Sequence, residues 1–326
     1  MIAVTGGAGF IGGQLVRELN TRGVEDILVV DEFAGGAGHE RLHGCSVLDY
    51  LDKAEFRLRV NRGDTALRPL RAIFHQGACT NTLERDEQFM LENNFRYSMD
   101  VLRYCTGNRL RLIYASSAAV YGTGTDFRET PECEQPVNVY GLSKKLFDDE
   151  VRKLLPGARS QIAGLRYFNV YGPGEEHKGQ MASVAFHLNR QLKTEGRVKL
   201  FRGSGGFGDG EQRRDFVSVE DVVKVNLWLL EHSGKSGIFN VGTGRDRSFN
   251  DVARTIIHWH GTGRIEYIPF PEALSGAYQS FTRADLGALR QAGFTGEFLS
   301  LEQGLGKYLD WLNGGQARLA GHRDGR

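Results

Sequence analysis

Charge imbalance is missing from this sequence. Among 326 residues, Lys and Arg number 41 and Asp and Glu number 40, for a net charge of +1. Without an excess of one sign there is no electrostatic footprint for nucleic acid or an anionic membrane. Long apolar runs are missing too, and none approaches the ~20 residues of a membrane span. The opening MIAVTGG reads as a strand from residue 2 and not as a signal peptide. Cysteine is scarce. Cys45, Cys79, Cys105 and Cys133 lack paired spacing, so they read as reduced thiols of a cytoplasmic protein, not as disulfides or a zinc site. The triplet His258-Trp259-His260 has no carboxylate or cysteine at ligand spacing, and no metal is expected there.

What is present is a 40% share of hydrophobic residues, ample for a large core. It is dealt out in short runs. IAVT (2–5), ILVV (27–30), AIFH (72–75), RLIYAS (111–116) and IAGLRYFNV (162–170) read as buried parallel strands. Helical patterns near 10–22, 49–60 and 86–106 alternate with them. The expected fold is α/β, a doubly wound parallel Rossmann sheet with a smaller C-terminal substrate-binding region. Beyond Tyr171, Gly-rich stretches mix with helices near 179–195, 219–232 and 248–260, and GIFNVG (237–242) reads as a strand returning to the main sheet. The expected dinucleotide-binding part is 1–170 plus about 216–247 and 280–290. The substrate part is 171–215, 248–279 and 291–314, and 315–326 is read as a frayed tail.

TGGAGFIGG (5–13) follows the first strand and opens the first helix. Gly6, Gly9 and Gly12 fit G-x-x-G-x-x-G, while Gly7, Gly9 and Gly12 fit G-x-G-x-x-G. Glycines there let backbone N–H groups reach a pyrophosphate at the helix N-terminus. Asp31 closes the second strand, where a carboxylate can accept from adenosine ribose hydroxyls. The expected cofactor is a nicotinamide dinucleotide.

The tetrapeptide NVYG occurs twice, at 138–141 and 169–172, with flanks that share no period. In the first copy Tyr140 and Lys144 are i and i+4 on a helix starting after Pro136, so they share a face. A phenol with its ordinary pKa of ~10 is a poor base at neutrality, and a nearby cation lowers that value. Lys144 is placed to do this while also bonding the nicotinamide ribose. Ser117, at the C-terminal end of a strand, is placed to hold a substrate hydroxyl. In the second copy Gly172 and Pro173 come directly after Tyr171, leading into a loop with no lysine one turn on. Tyr171 is expected to pack at a strand end.

These motifs, with YASSAAVYG, RYFNVYGP and HKGQMASVAFHL, resemble the extended short-chain dehydrogenase/reductase superfamily over nearly the whole chain, and more narrowly its ADP-L-glycero-D-manno-heptose 6-epimerase family. The resemblance implies an isomerase that inverts C6 of the heptose by transient oxidation to a ketone and re-reduction with bound nicotinamide. It implies a cytoplasmic homo-oligomer, a pentamer, serving synthesis of the lipopolysaccharide inner-core precursor in bacteria. Tyr140 and Lys178 are then two acid/base groups on opposite faces of the substrate, because one fixed tyrosine serves only one orientation well. Around the dinucleotide it implies Phe10, Ile11, Lys53, Gln76, Gly77, Ala78, Cys79, Thr80, Asn93, Val170 and Lys178, besides Asp31 and Glu32. Around the sugar nucleotide it implies Asn169, Gln180, His187, Phe201, Arg202, Gly203, Ser204, Arg214 and Tyr278. Arginine suits a diphosphate as a charge-assisted donor, and adjacent Arg213, at the end of an apparent insertion at 205–213, competes with Arg214 for that place.

The family commonly uses NADP and carries a basic residue in the loop after the second strand. Here that loop is DEFAGGAGHE, with Gly38 at the basic position and Arg41 nearby. Asp31 and Glu32 would repel a 2′-phosphate. The residues favour NAD, the resemblance favours NADP, and both stay open. Two other readings remain: a different sugar-nucleotide enzyme (a 4-epimerase or 4,6-dehydratase) and a non-catalytic dinucleotide-binding protein. Relatives that expel water carry an Asp-Glu pair after the serine, where this chain has Ala118-Ala119. A 4-epimerase needs no Lys178 loop, and non-catalytic relatives lose the tyrosine or lysine that this chain keeps.

Overall fold

Alternating residues of the buried strands face two different cores. Ile2, Val4, Ile27, Val29, Ile113 and Leu165 pack into one; Ala3, Leu28, Val30, Ile73, Leu112 and Ile162 pack into the other. A period of two with both faces apolar is what a parallel sheet sandwiched between helices requires. The computed structural model describes residues 1–33, 37–271 and 278–315. Part of the DEFAGGAGHE loop (34–36), part of the expected substrate region (272–277) and the expected tail (316–326) lie outside the described residues.

The strands are β1 (Ile2–Thr5), β2 (Ile27–Asp31), β3 (Asp49–Asp52), β4 (Ala72–His75), β5 (Arg111–Ser117), β6 (Ile162–Tyr167), β7 (Asn169–Tyr171), β8 (Arg197–Phe201), β9 (Arg213–Ser218), β10 (Gly237–Val241), β11 (Asp246–Ser248) and β12 (Arg264–Ile268). The helices are α1 (Phe10–Thr21), α2 (Ala37–Arg41), α3 (Lys53–Arg62), α4 (Glu87–Met90), α5 (Tyr97–Asn108), α6 (Val139–Leu154), α7 (Val184–Glu195), α8 (Val219–Glu231), α9 (Phe249–His260), α10 (Gly287–Ala292) and α11 (Leu301–Asp310). Seven strands form one parallel sheet in the order β10-β6-β5-β4-β1-β2-β3. Strand order reverses between β1 and β4, so a ligand crevice is expected at the C-terminal ends of those strands. Helices α1 and α8 cover one face; α3, α5 and α6 cover the other. A third core, with Tyr171, Leu188, Val198, Ile256 and Leu305, lies under the small sheets β11-β9-β7 and β12-β8. No helix among the described residues is long and apolar enough to cross a membrane.

Three segments depart from expectation. Residues 49–52 form the edge strand β3, not the start of a helix; Asp52 ends it and caps α3, accepting from the Ala54 N–H at 2.8 Å. The run 162–170 is two strands, because the chain leaves the main sheet at Phe168 and β7 pairs with β9. The stretch 86–106 is interrupted by a π-helical turn, Leu91–Arg96, which shifts the helical register at Asn93 and Asn94. Inside the main sheet Arg166 is fully buried and bonds Asp148, Glu134 and the Tyr121 hydroxyl at 2.9, 2.5 and 2.9 Å. That network ties α6 to β6 through Arg166 and to β5, since Asp148 also accepts from Tyr114 and Ser116 at 2.8 Å each. A buried guanidinium is tolerable only when its charge and donors are met this fully.

Candidate functional site

The glycine turn is shaped by close approach. Gly6 has φ +65°, and a Cβ there would lie 2.6 Å from the Gly77 backbone. A Cβ on Gly12 would collide with the Gly6 carbonyl. Gly9 precedes α1 with no side-chain cap, so the N–H groups of the first turn are left for a ligand. Phe10 and Ile11 are the first residues of that helix. Asp31 is locked beside the turn, accepting from the Ala8 and Glu32 N–H groups at 2.8 Å each. The adjoining cleft, of about 280 Å³, is lined by Thr5, Gly6, Val30, Asp31, Glu32, Lys53, Gly77, Ala78, Cys79, Phe89, Asn93 and Tyr97.

Within the cleft the Lys53 ammonium pairs with Glu32 and donates to Asn93 at 3.0 Å. Asn94 accepts from the Cys79 N–H and donates to the Cys79 carbonyl, at 2.8 and 2.9 Å, holding the loop after β4. Gln76 turns elsewhere, bonding Asn226 and Tyr167 at 3.2 and 2.9 Å, and the Thr80 side chain is exposed. Val170 packs against the core beneath α1. A glycine cradle, an uncapped helix N-terminus and a strand-end carboxylate suit a dinucleotide pyrophosphate and ribose, so the residues present fit the group.

Tyr140 and Lys144 lie buried on one face of α6. The Asn138 carboxamide caps the helix, accepting from the Gly141 N–H at 2.8 Å. A Cβ on Gly141 would come within 2.6 Å of the Ala119 carbonyl, so this glycine lets α6 sit against the turn that carries Ser117. The Lys144 amine donates to the Ala115 carbonyl at 2.9 Å, and burial brings its pKa down to about 8. Burial pushes the Tyr140 phenol above its ordinary value, opposed by the Ser117 hydroxyl beside it. Burial is the largest influence on the Tyr140 phenol, and the Lys144 amine is held on the Ala115 carbonyl.

Lys178 sits on the 3₁₀ turn Glu176–Met181, kinked at Gly179 (φ +56°). Its ammonium lies 5.2 Å from the centre of the Phe10 ring. The loop is docked there by Gln14, which donates to the Pro173 carbonyl at 2.9 Å. Lys178 therefore stands over the start of α1, and burial lowers its pKa against the pull of Glu175. Glu175, which sequence reasoning missed, is fully buried and accepts from Gly172 and from the Ser183 hydroxyl, at 3.2 and 2.7 Å.

On the other side, Arg214 is buried with its guanidinium 4.9 Å from the Tyr278 ring centre and 5.6 Å from that of Phe249. It has no carboxylate partner among the described residues, whereas Arg213 is paired with Asp246. Phe201 and Phe270 extend the aromatic wall, with ring centres 5.6 Å apart, and Phe270 meets Tyr278 at 5.2 Å. Arg202, Gly203 and Ser204 belong to a tight loop in which Gln212 donates to the Arg202 carbonyl and the Ser204 hydroxyl at 3.0 Å each. The 205–213 segment closes this loop back onto β8, as the Gly210 N–H donates to the Phe201 carbonyl at 3.0 Å. Gln279 ties this region to the Ser117 turn, donating to the Gly122 carbonyl at 2.5 Å. His187 approaches the Gln180 carbonyl at 3.4 Å, and Asn169 is exposed near Thr282. His260 bonds Asn189 at 2.8 Å, and no cluster of metal-ligating residues occurs among the described residues.

Residues 2–242 match the NAD dependent epimerase/dehydratase family. The chain belongs to that family. It is 54% identical over 310 residues, 95% of this chain and 97% of the other, to a protein of Alkalilimnicola ehrlichii named ADP-L-glycero-D-manno-heptose-6-epimerase. It is also similar to the crystal structure of the Helicobacter pylori ADP-L-glycero-D-manno-heptose-6-epimerase, with a TM-score of 0.81 and 30% identity, covering 96% of each chain. The Thermus thermophilus UDP-glucose 4-epimerase in complex with NAD aligns with a TM-score of 0.79 and 26% identity, over 96% of this chain and 99% of that one. Membership of that family supports a nicotinamide dinucleotide as the cofactor.

Proposed function

We propose that this chain inverts C6 of the heptose in ADP-glycero-manno-heptose by transient oxidation to a ketone. The observation that carries the reading is the second basic group, Lys178, docked over the start of α1 in addition to Tyr140 and Lys144. The bound nicotinamide supplies an acceptor and donor of hydride. Tyr140 and Lys178 handle protons at the C6 oxygen: one takes the hydroxyl proton from one epimer, the other returns a proton as the opposite face is reduced, and exchange with solvent resets both. Burial raises the pKa of the Tyr140 phenol and lowers that of the Lys178 ammonium, directions that suit a proton donor and a proton acceptor. Ser117 holds the reacting hydroxyl. Arg214, free of any carboxylate among the described residues, faces the diphosphate in preference to Arg213. Asn169, Gln180, His187, Phe201–Ser204 and Tyr278 complete the sugar-nucleotide side.

The proposed cofactor is NAD, with NADP as the alternative. Glu32 already occupies Lys53, and a Cβ on Gly38 would lie 2.9 Å from the Phe33 ring, which leaves no room for the family's basic side chain without a shift. Arg41 is committed in part to the Ala8 carbonyl, at 2.6 Å. Titrating stripped protein with NAD and NADP at equal ionic strength checks this; a strong NADP preference overturns it. The proposed division at residue 170 has its support in the separate third core, and a cytoplasmic homo-oligomer, a pentamer, is the proposed assembly.

Purified protein incubated with one ADP-heptose epimer, without added reductant, should yield the other by NMR. Turnover of UDP-glucose in its place would identify a 4-epimerase, and no turnover of either would identify a binding protein.

A further inference from the structure

We propose that the Tyr97 hydroxyl binds the adenosine half of the dinucleotide, an inference that rests on reading the glycine-turn cleft as the cofactor site. Tyr97 opens α5 directly after the π-helical turn and lines the same cleft as Asp31, Lys53 and Asn93. Its side chain is buried, 6% exposed, yet its hydroxyl has no hydrogen-bond partner among the described residues. The neighbours able to supply one are committed elsewhere. His75 meets the Tyr97 ring edge-on at 5.5 Å, but its two ring nitrogens are held by Thr5 and Ser98 at 2.7 and 2.8 Å. Arg57 lies 5.7 Å from the ring centre, but its guanidinium bonds Asp100 and Glu92 at 2.6 and 2.7 Å.

A buried hydroxyl left unpaired is unfavourable, and phenylalanine would fill the same space without that penalty. The hydroxyl also stays protonated: burial first, then Asp31, Asp52 and Asp100, push its pKa well above the ordinary tyrosine value against the pull of Arg57. It is a fixed donor on a residue that lines the cleft where Asp31 is placed for a ribose. Adenosine offers acceptors that suit such a donor, in its ring nitrogens and its ribose oxygens.

Tyr97→Phe removes the oxygen and keeps the ring. Stripped wild-type and variant protein are compared for affinity toward NAD, AMP and nicotinamide mononucleotide, and for melting temperature without ligand. The expected result is about a three- to tenfold loss of affinity for NAD and AMP. Affinity for nicotinamide mononucleotide and the ligand-free melting temperature should be unchanged, or the latter raised. Unchanged AMP affinity overturns the inference. So does a ligand-free melting temperature lower by more than about 3 °C, whatever the binding, because the hydroxyl is then a structural group. Wild-type protein that binds neither NAD nor NADP would instead remove the reading of the cleft.

Discussion

The two NVYG segments share four residues and almost nothing of their physics. In the first, Asn138 caps a helix, Tyr140 and Lys144 share its buried face beside Ser117, and Gly141 permits close packing on Ala119. In the second, Asn169 to Tyr171 is a strand, and the Tyr171 ring is buried in the third core, 6.2 Å from that of Tyr308. Gly172 has φ +145°, turning the chain toward the loop that carries Lys178. The identity of a tyrosine therefore says little about its role. Its downstream neighbours decide: LSKK continues a helix and brings a lysine one turn on, whereas PGEE ends a strand.

The strongest way to break this contrast is at the proposed proton-transfer groups. Tyr140→Phe should lower the epimerisation rate by roughly 10²–10⁴-fold while leaving the fold intact, since only a proton-transfer group is lost. Lys178→Met should do comparable damage. A ketone or aldehyde analogue of the intermediate separates the roles: each single variant should still convert it toward one stereoisomer, and the double variant should do neither. Should Lys178→Met epimerise at the wild-type rate, its loop is a substrate clamp and the two-group assignment fails.

The contrast between the two tyrosines was legible in the sequence because it rests on neighbours along the chain. So was the sheet, whose runs from Ile2, Ile27, Ala72, Arg111 and Ile162 are apolar on both faces. What the sequence concealed depends on contacts distant along the chain. Asp49–Asp52 is a strand only because β2 offers it an edge, and its four residues carry too little periodicity to say so. The π-helical turn that shifts the helical register at Asn93, on the wall of the cleft, and at Asn94, beneath it, has no local signature. The orphan hydroxyl of Tyr97 is visible only once its neighbours' hydrogen bonds are assigned. The pairing of Arg213 with Asp246, thirty-odd residues away, was hidden for the same reason.

A smaller effect sharpens the Tyr140 side. Lys144 has a folded pKa of about 8 against an ordinary 10.5. Between those values the unfolded chain holds a proton that the folded chain does not, so stability from this group rises with pH through that window. It is lost as pH falls through about 8. The full difference is on the order of 3–4 kcal/mol. Urea unfolding of wild-type and Lys144→Met protein from pH 7 to 10.5 should give curves whose separation changes across the window; parallel curves would show that the amine is not dehydrated.

The smallest effects belong to the second copy. A Cβ at Gly304 would collide with the Tyr171 hydroxyl, so Gly304→Ala should destabilise the protein by about 1–3 kcal/mol through overpacking. Tyr171→Phe should do much less. The hydroxyl has no hydrogen-bond partner among the described residues, while the ring supplies the packing against Tyr308 and the rest of the third core. Its removal should change unfolding free energy by less than about 1 kcal/mol. Turnover per folded molecule should match the wild type. It should also relieve Gly304→Ala, because the atom that the new methyl group meets is gone, and the double variant should be more stable than Gly304→Ala alone. If Tyr171→Phe slows epimerisation as much as Tyr140→Phe, the second tyrosine reaches the substrate in a conformation other than this one, and the division of labour between the two segments collapses.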